Sequence, residues 1–233
     1  MRIFAPLSVI LVCLFVALSA SGLGSTKAPD LRIGTVLSQT STLRSEVMEL
    51  ALAAYDLASA EGHVQRPRLT IIDYELPSFD KRLWVIDMET GRLLHEEWVS
   101  HGMGKPRGSG GDMERALGFS NVEGSRKSSL GVFATAETYY GKHGYSLRLD
   151  GLEPGVNDAA RDRTIVIHGA RYVTSKRAEN RNIGRSWGCP AVRPKISKQL
   201  IDAITGGSVV WVYFPDDDWL KSSSFLTRSN EGD

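Results

Sequence analysis

Cysteine is nearly absent from this chain: Cys13 and Cys189 are the two in 233 residues. Cys13 lies in an apolar run at 7–18 that follows one positive charge, Arg2, and leads into small residues at 19–24. That order reads as a secretory signal over residues 1–22, and the run is shorter than the roughly 20 apolar residues a membrane span needs. Cleavage would remove Cys13, so the mature chain is expected to hold one thiol and no internal disulfide. A lone thiol in an exported chain is either reactive or an intermolecular link. Net charge is scarce too. With 28 Lys and Arg against 27 Asp and Glu, one of the basic residues being Arg2, the balance argues against nucleic acid or an anionic surface as the main partner. Metal-site spacing is missing as well. The five histidines, His63, His95, His101, His143 and His168, form neither HExxH nor a paired-cysteine pattern, so no metal is expected.

There is no internal repeat and no Pro/Ser-rich linker. The glycine-rich "HGMGKPRGSGG" at 101–111 lacks the GxxxxGK[ST] of a phosphate loop and reads as a mobile loop at the rim of a site. "DDD" at 216–218 reads as a solvated charge run.

What is present is mostly β-type pattern. Over 42–60, Leu43, Val47, Leu50, Ala51, Ala54 and Leu57 share one helical face, and Gly62 ends the run. Short apolar runs follow at 69–73, 83–88, 93–99, 130–135, 145–149, 164–169 and 209–214, the second and third joined across Thr90-Gly91 as a hairpin. One more helix is expected where Ile196, Leu200 and Ile204 recur before paired glycines. Many short strands with few helices predict a mainly β domain, a sandwich or barrel. It would carry a helical segment at 23–68 in front and a tail at 215–233 behind.

Cys189 sits in "RSWGCPAV", twenty-one residues after His168. As a bare cysteine it would be a small buried apolar residue. Gly188 and Pro190 instead place it on a stiff turn, and Arg185 and Arg193 flank it with the positive charge that favours a thiolate. His168 closes the run "TIVIHG", where a strand end can hand a side chain to a site. Together they read as nucleophile and general base, with the thiol expected to titrate below about 8.5. His101, at the end of another apolar run, is the alternative base.

The segments "IHGA" at 167–170 and "GRSWGCPAV" at 184–192 resemble the L,D-transpeptidase catalytic domain, the YkuD type, whose signature is a histidine, a loop, then Ser-x-Gly-Cys. The resemblance extends over roughly residues 69–214. It implies a mostly β catalytic domain acting in the bacterial cell envelope on peptidoglycan stem peptides, without cofactor, as a periplasmic or secreted monomer. By the same resemblance Cys189 is the nucleophile and His168 the base. The Gly169 carbonyl orients the imidazole, the amides of Gly188 and Cys189 form an oxyanion hole, and Ser186 opens the motif. Trp187 stands where most members have histidine, and Arg193 lies four rather than two residues after the cysteine, so the chain resembles a side branch. Ser186, Trp187, Arg193, Arg185 and His101 are the expected substrate contacts. The basic residues of the insert at 171–185 are further candidates for stem carboxylates. The reaction implied is acyl transfer from a tetrapeptide stem to a second stem, giving a 3-3 cross-link. The alternatives are an L,D-carboxypeptidase and a non-catalytic wall-binding module. A papain-like or NlpC-like peptidase is disfavoured, because there the cysteine precedes the histidine.

Overall fold

The computed structural model of the chain describes residues 30–103 and 112–227. The signal expected at 1–22, most of the glycine-rich stretch and the last six residues lie outside the described residues.

Two helices come first, α1 (Leu31–Leu37) and α2 (Ser45–Ala60). Three strands follow, β1 (Arg68–Asp73), β2 (Leu83–Asp87) and β3 (Arg92–Glu97). A long hairpin, β4 (Gly131–Gly141) and β5 (Gly144–Gly151), leads to β6 (Val166–Gly169), α3 (Ser175–Glu179) and β7 (Ala191–Val192). The chain ends with α4 (Pro194–Ile204), β8 (Val209–Tyr213), α5 (Asp217–Ser222) and α6 (Ser224–Thr227). The eight strands form one sheet in the order β3-β2-β1-β8-β4-β5-β6-β7.

Its two edges meet. Ser100, just past β3, donates its N–H to the Ala191 carbonyl of β7 at 2.9 Å, and Arg193 clasps Glu97 of β3 through two contacts of 2.6 and 2.8 Å. The sheet is thereby bent into a nearly closed barrel, which leaves few unpaired edge groups. The mainly β, barrel-like expectation is met.

The central strands explain their own sequences. β2 and β8 are buried along their whole length and β1 along all but its first residue, so they read as continuous apolar runs rather than alternating ones. The helix expected at 42–60 is α2. It lies against β1 and β8 through Val47, Met48, Ala51, Ala54 and Tyr55. The hairpin across Thr90-Gly91 is β2–β3, with Gly91 in the left-handed region at φ 68°.

The charge run at 216–218 is solvated as expected at Asp217 and Asp218, and it also starts a helix. Asp216 caps α5 by accepting the Trp219 N–H at 2.9 Å, while Asp217 and Asp218 occupy the positive end of the helix dipole. The cap seats Trp219, whose indole N–H donates to Glu153 at 3.1 Å. Trp219, Phe225 and Leu226 belong to the same core as α2 and the barrel.

Candidate active site

Strand pairing brings the two distant residues together. β6 and β7 run parallel with His168 opposite Ala191 and Gly169 opposite Val192, so Cys189 lies two residues before the partner of His168. Both line one open cavity of about 670 Å³.

Three features hold the cysteine. Gly188 has φ 120°, a conformation L side chains rarely adopt, and its carbonyl accepts from Ser128 Oγ at 3.0 Å. The Cys189 thiol donates to the Thr164 carbonyl at 3.5 Å. Thr164 itself has φ 53°, an outlier for a β-branched residue that costs about 1–2 kcal/mol and persists only where the surroundings impose it. The backbone N–H groups of Val166 and of Cys189 face the sulfur.

His168 is held as firmly. The residue is 2% exposed, and Nδ1 lies 3.0 Å from the Gly169 carbonyl. A carbonyl only accepts, so Nδ1 carries the proton and Nε2 keeps the lone pair a base needs. Over the face of this ring stacks His143 from the β4–β5 turn, with centroids 4.3 Å apart and planes at 25°.

Burial sets the charge states. It lowers His168 to about 4, with the nearby His143 and Lys142 acting the same way and the Gly169 hydrogen bond opposing. Burial also pushes the Cys189 thiol up, against the pull of the Val166 amide, Lys142 and Arg163. Between these limits the resting pair is imidazole and thiol, both neutral, where the sequence suggested a low-pKa thiolate. Alkylation of Cys189 by iodoacetamide in the folded protein should therefore keep accelerating above pH 8.5, the usual thiol range. A plateau reached by pH 7 would show a preformed thiolate.

The expected site residues divide into two groups. Ser186, Trp187 and Arg185 join Cys189 and His168 on the cavity wall. Trp187 is 61% exposed and is braced by Arg126, whose guanidinium lies 4.4 Å from the indole centroid. Ser186 Oγ accepts the Gly188 N–H at 3.1 Å, so that amide is already engaged, and the Cys189 amide is the freer oxyanion donor. His101 and Arg193 are not on the wall. The His101 ring is buried, with Nδ1 accepting from the fully buried Arg82 at 2.9 Å and Nε2 3.3 Å from the Asp112 carbonyl. Burial, reinforced by Arg82, lowers it to about 3. Both nitrogens are committed, so it serves neither as base nor as substrate contact. Arg193 spends its guanidinium on Glu97 in closing the barrel. Within the insert, Arg181 is likewise paired, with Glu114 at 3.0 Å.

The sequence reading missed His143, Arg126, Lys142, Arg163 and Thr164, all on the cavity wall. "GKHG" at 141–144 is visible as a turn, but nothing in its pattern says where that turn points. Among the described residues no group of three or more His, Cys, Asp and Glu is placed to hold a metal ion.

A family profile described as the L,D-transpeptidase catalytic domain matches residues 39–213. No curated protein matches the chain. Among solved structures, an L,D-transpeptidase from Mycobacterium smegmatis is similar at 14% identity and a TM-score of 0.37, over 64% of this chain and 59% of that one. An L,D-transpeptidase from Xylanimonas cellulosilytica is similar at 18% and 0.35, over 68% of each chain. The chain thus spans about three fifths of the length of the mycobacterial structure.

Proposed function

The chain belongs to the L,D-transpeptidase catalytic domain family, and from that premise we propose that it is a cysteine-dependent murein L,D-transpeptidase. The observation that carries this reading is the β6–β7 register, which sets a neutral, correctly tautomerised His168 and the thiol of Cys189 on one cavity wall.

In the proposed reaction, Cys189 Sγ gives up its bond to the Thr164 carbonyl and attacks the carbonyl of the L-centre of the diamino acid in a tetrapeptide stem. The thiol proton passes to His168 Nε2 as the sulfur–carbon bond forms, so no resting ion pair is needed. The Cys189 amide faces the developing oxyanion. Donors of this kind are worth about 3–4 kcal/mol in comparable sites. His168 then returns the proton to the departing nitrogen, and D-alanine leaves a thioester. The side-chain amine of a second stem opens it, with His168 again accepting a proton, to give a 3-3 cross-link. The wall's cations Arg126, Lys142, Arg163 and Arg185 outnumber its carboxylates Glu123 and Asp162, which suits a substrate bearing carboxylates. Peptidoglycan stems as partner imply action outside the cytoplasm, in the periplasm or after secretion, in keeping with the leader expected at 1–22. A monomer suffices, because every group in this scheme comes from one chain.

Incubation with purified tetrapeptide stems and mass analysis tests the proposal. Cross-linked dimer with release of D-alanine is expected. Tripeptide alone would make the protein an L,D-carboxypeptidase, and no product with an inert thiol would leave a wall-binding module.

A further inference from the structure

We propose that His143 is a positioning residue of this site: stacked on the face of His168, it shields the base from water and keeps it in its neutral, proton-accepting form. The inference rests on the reading of His168 as general base.

The placement is built into the hairpin. β4 and β5 pair to their ends, Gly141 opposite Gly144, and Gly144 turns the chain at φ 77°, leaving Lys142 and His143 at the tip. β5 also pairs with β6, with Ser146 opposite His168. The tip is thereby fixed relative to the strand that carries the base, and the two rings meet at 4.3 Å. The contact is asymmetric. His168 is buried while His143 is exposed, so His143 is the cover and His168 the covered ring.

Two imidazolium ions cannot share a stack this close without strong repulsion, so a proton on one ring opposes a proton on the other. Other titratable groups surround the base. Lys142, beside His143 on the same turn, opposes protonation of His168. From the segment before β6 come Asp162 and Arg163, and from the loop before β7 comes Cys189. Tyr139 of β4, Glu123 and Arg126 from the segment before β4, and Tyr172 and Arg185 beyond β6 complete the titratable wall among the described residues. α4 meets the Gly169 side of the strand through Ser197 and Pro194, which carry no charge. Among the described residues, Lys142 and His143 are the charged groups that act on His168, and both disfavour its protonation.

The test is a titration of the His168 ring by NMR, together with the pH profile of kcat/KM on stems, for wild type, His143→Ala and His143→Phe. Removing the cover admits water and deletes the repelling charge, so His143→Ala should raise the His168 midpoint and the acid limb by roughly one unit. Phe restores the cover without the charge, so His143→Phe should shift both by less than half as much. An unmoved midpoint in His143→Ala overturns the inference. So does loss of turnover in His143→Phe as complete as in His168→Ala, which would make His143 a proton carrier. The NMR midpoint reads the stack whether or not the protein turns over stems. An inactive wild type with a shifted midpoint would therefore sink the transpeptidase reading and leave the stack standing.

Discussion

Cys189→Ser is expected to fold with an unchanged melting temperature and to lose at least about 10³-fold in turnover of tetrapeptide stems, roughly 4 kcal/mol of transition-state stabilisation. The exchange is nearly isosteric, and the hydrogen bond the thiol donates to the Thr164 carbonyl at 3.5 Å is one a hydroxyl can also make. Reactivity is what changes. A base lowered to about 4 by burial accepts a proton weakly, and a serine hydroxyl holds its proton far more tightly than a thiol does. The thiol, more acidic and intrinsically more nucleophilic, can attack as its proton leaves. His168→Ala should cost a comparable factor, because it removes the imidazole that the Gly169 carbonyl holds in the proton-accepting tautomer.

The same charge states predict the wild-type pH dependence. His168 is a competent base while neutral, so kcat/KM should hold from neutrality down towards pH 4 instead of falling near the ordinary histidine value of about 6.5. Steady-state rates on stems between pH 4 and 9 check this. An acid limb at 6.5 would mean that water reaches the ring, and serine turnover within tenfold of wild type would remove Cys189 from the chemistry.

The pair Cys189 and His168 was legible because its residue types are rare in this chain and its local sequence constrains the backbone. A lone thiol between Gly188 and Pro190 and a histidine closing an apolar strand are signals carried by a few adjacent residues. α2 and the strands were legible for a similar reason, since periodicity and continuous apolar runs report burial directly. His101 and Arg193 misled because the sequence shows a polar group near a motif but not what it is bonded to. Only barrel closure joins Arg193 to Glu97, and only the fold places His101 against Arg82. His143 was hidden for the converse reason. It stands in an ordinary glycine-flanked turn, and its value comes from a strand pairing that delivers it to a residue twenty-five positions away. The strain at Thr164 is likewise imposed from outside, since nothing in "RDRTIV" asks for a left-handed threonine.

Gly188→Ala should damage stability and catalysis together. A Cβ at this position would stand 2.7 Å from the Lys127 carbonyl oxygen and 3.0 Å from Ile165 Cδ1. The Lys127 carbonyl cannot simply retreat, because Arg163 Nη2 donates to it at 2.7 Å. The other side is fixed as well, with the Gly188 carbonyl held by Ser128 Oγ. Relief must then come from the segment itself, by rotation of the 188–189 backbone away from φ 120°, and that carries the sulfur and the Cys189 amide out of line with His168. Backbone strain of about 1–3 kcal/mol at such a φ adds to the clash, so a stability loss of about 2–4 kcal/mol is expected. A displacement of the order of 1 Å at the nucleophile costs about 10²-fold in rate. Gly206→Ala provides the comparison. Gly206 also has a positive φ, 85°, but its added Cβ would meet nothing within 4 Å, and it lies outside the cavity wall. It should lose about 1 kcal/mol of stability and keep full activity. Urea unfolding and stem turnover measured on both variants separate strain from placement. If Gly188→Ala retains wild-type kcat, the cysteine turn is not what positions the nucleophile.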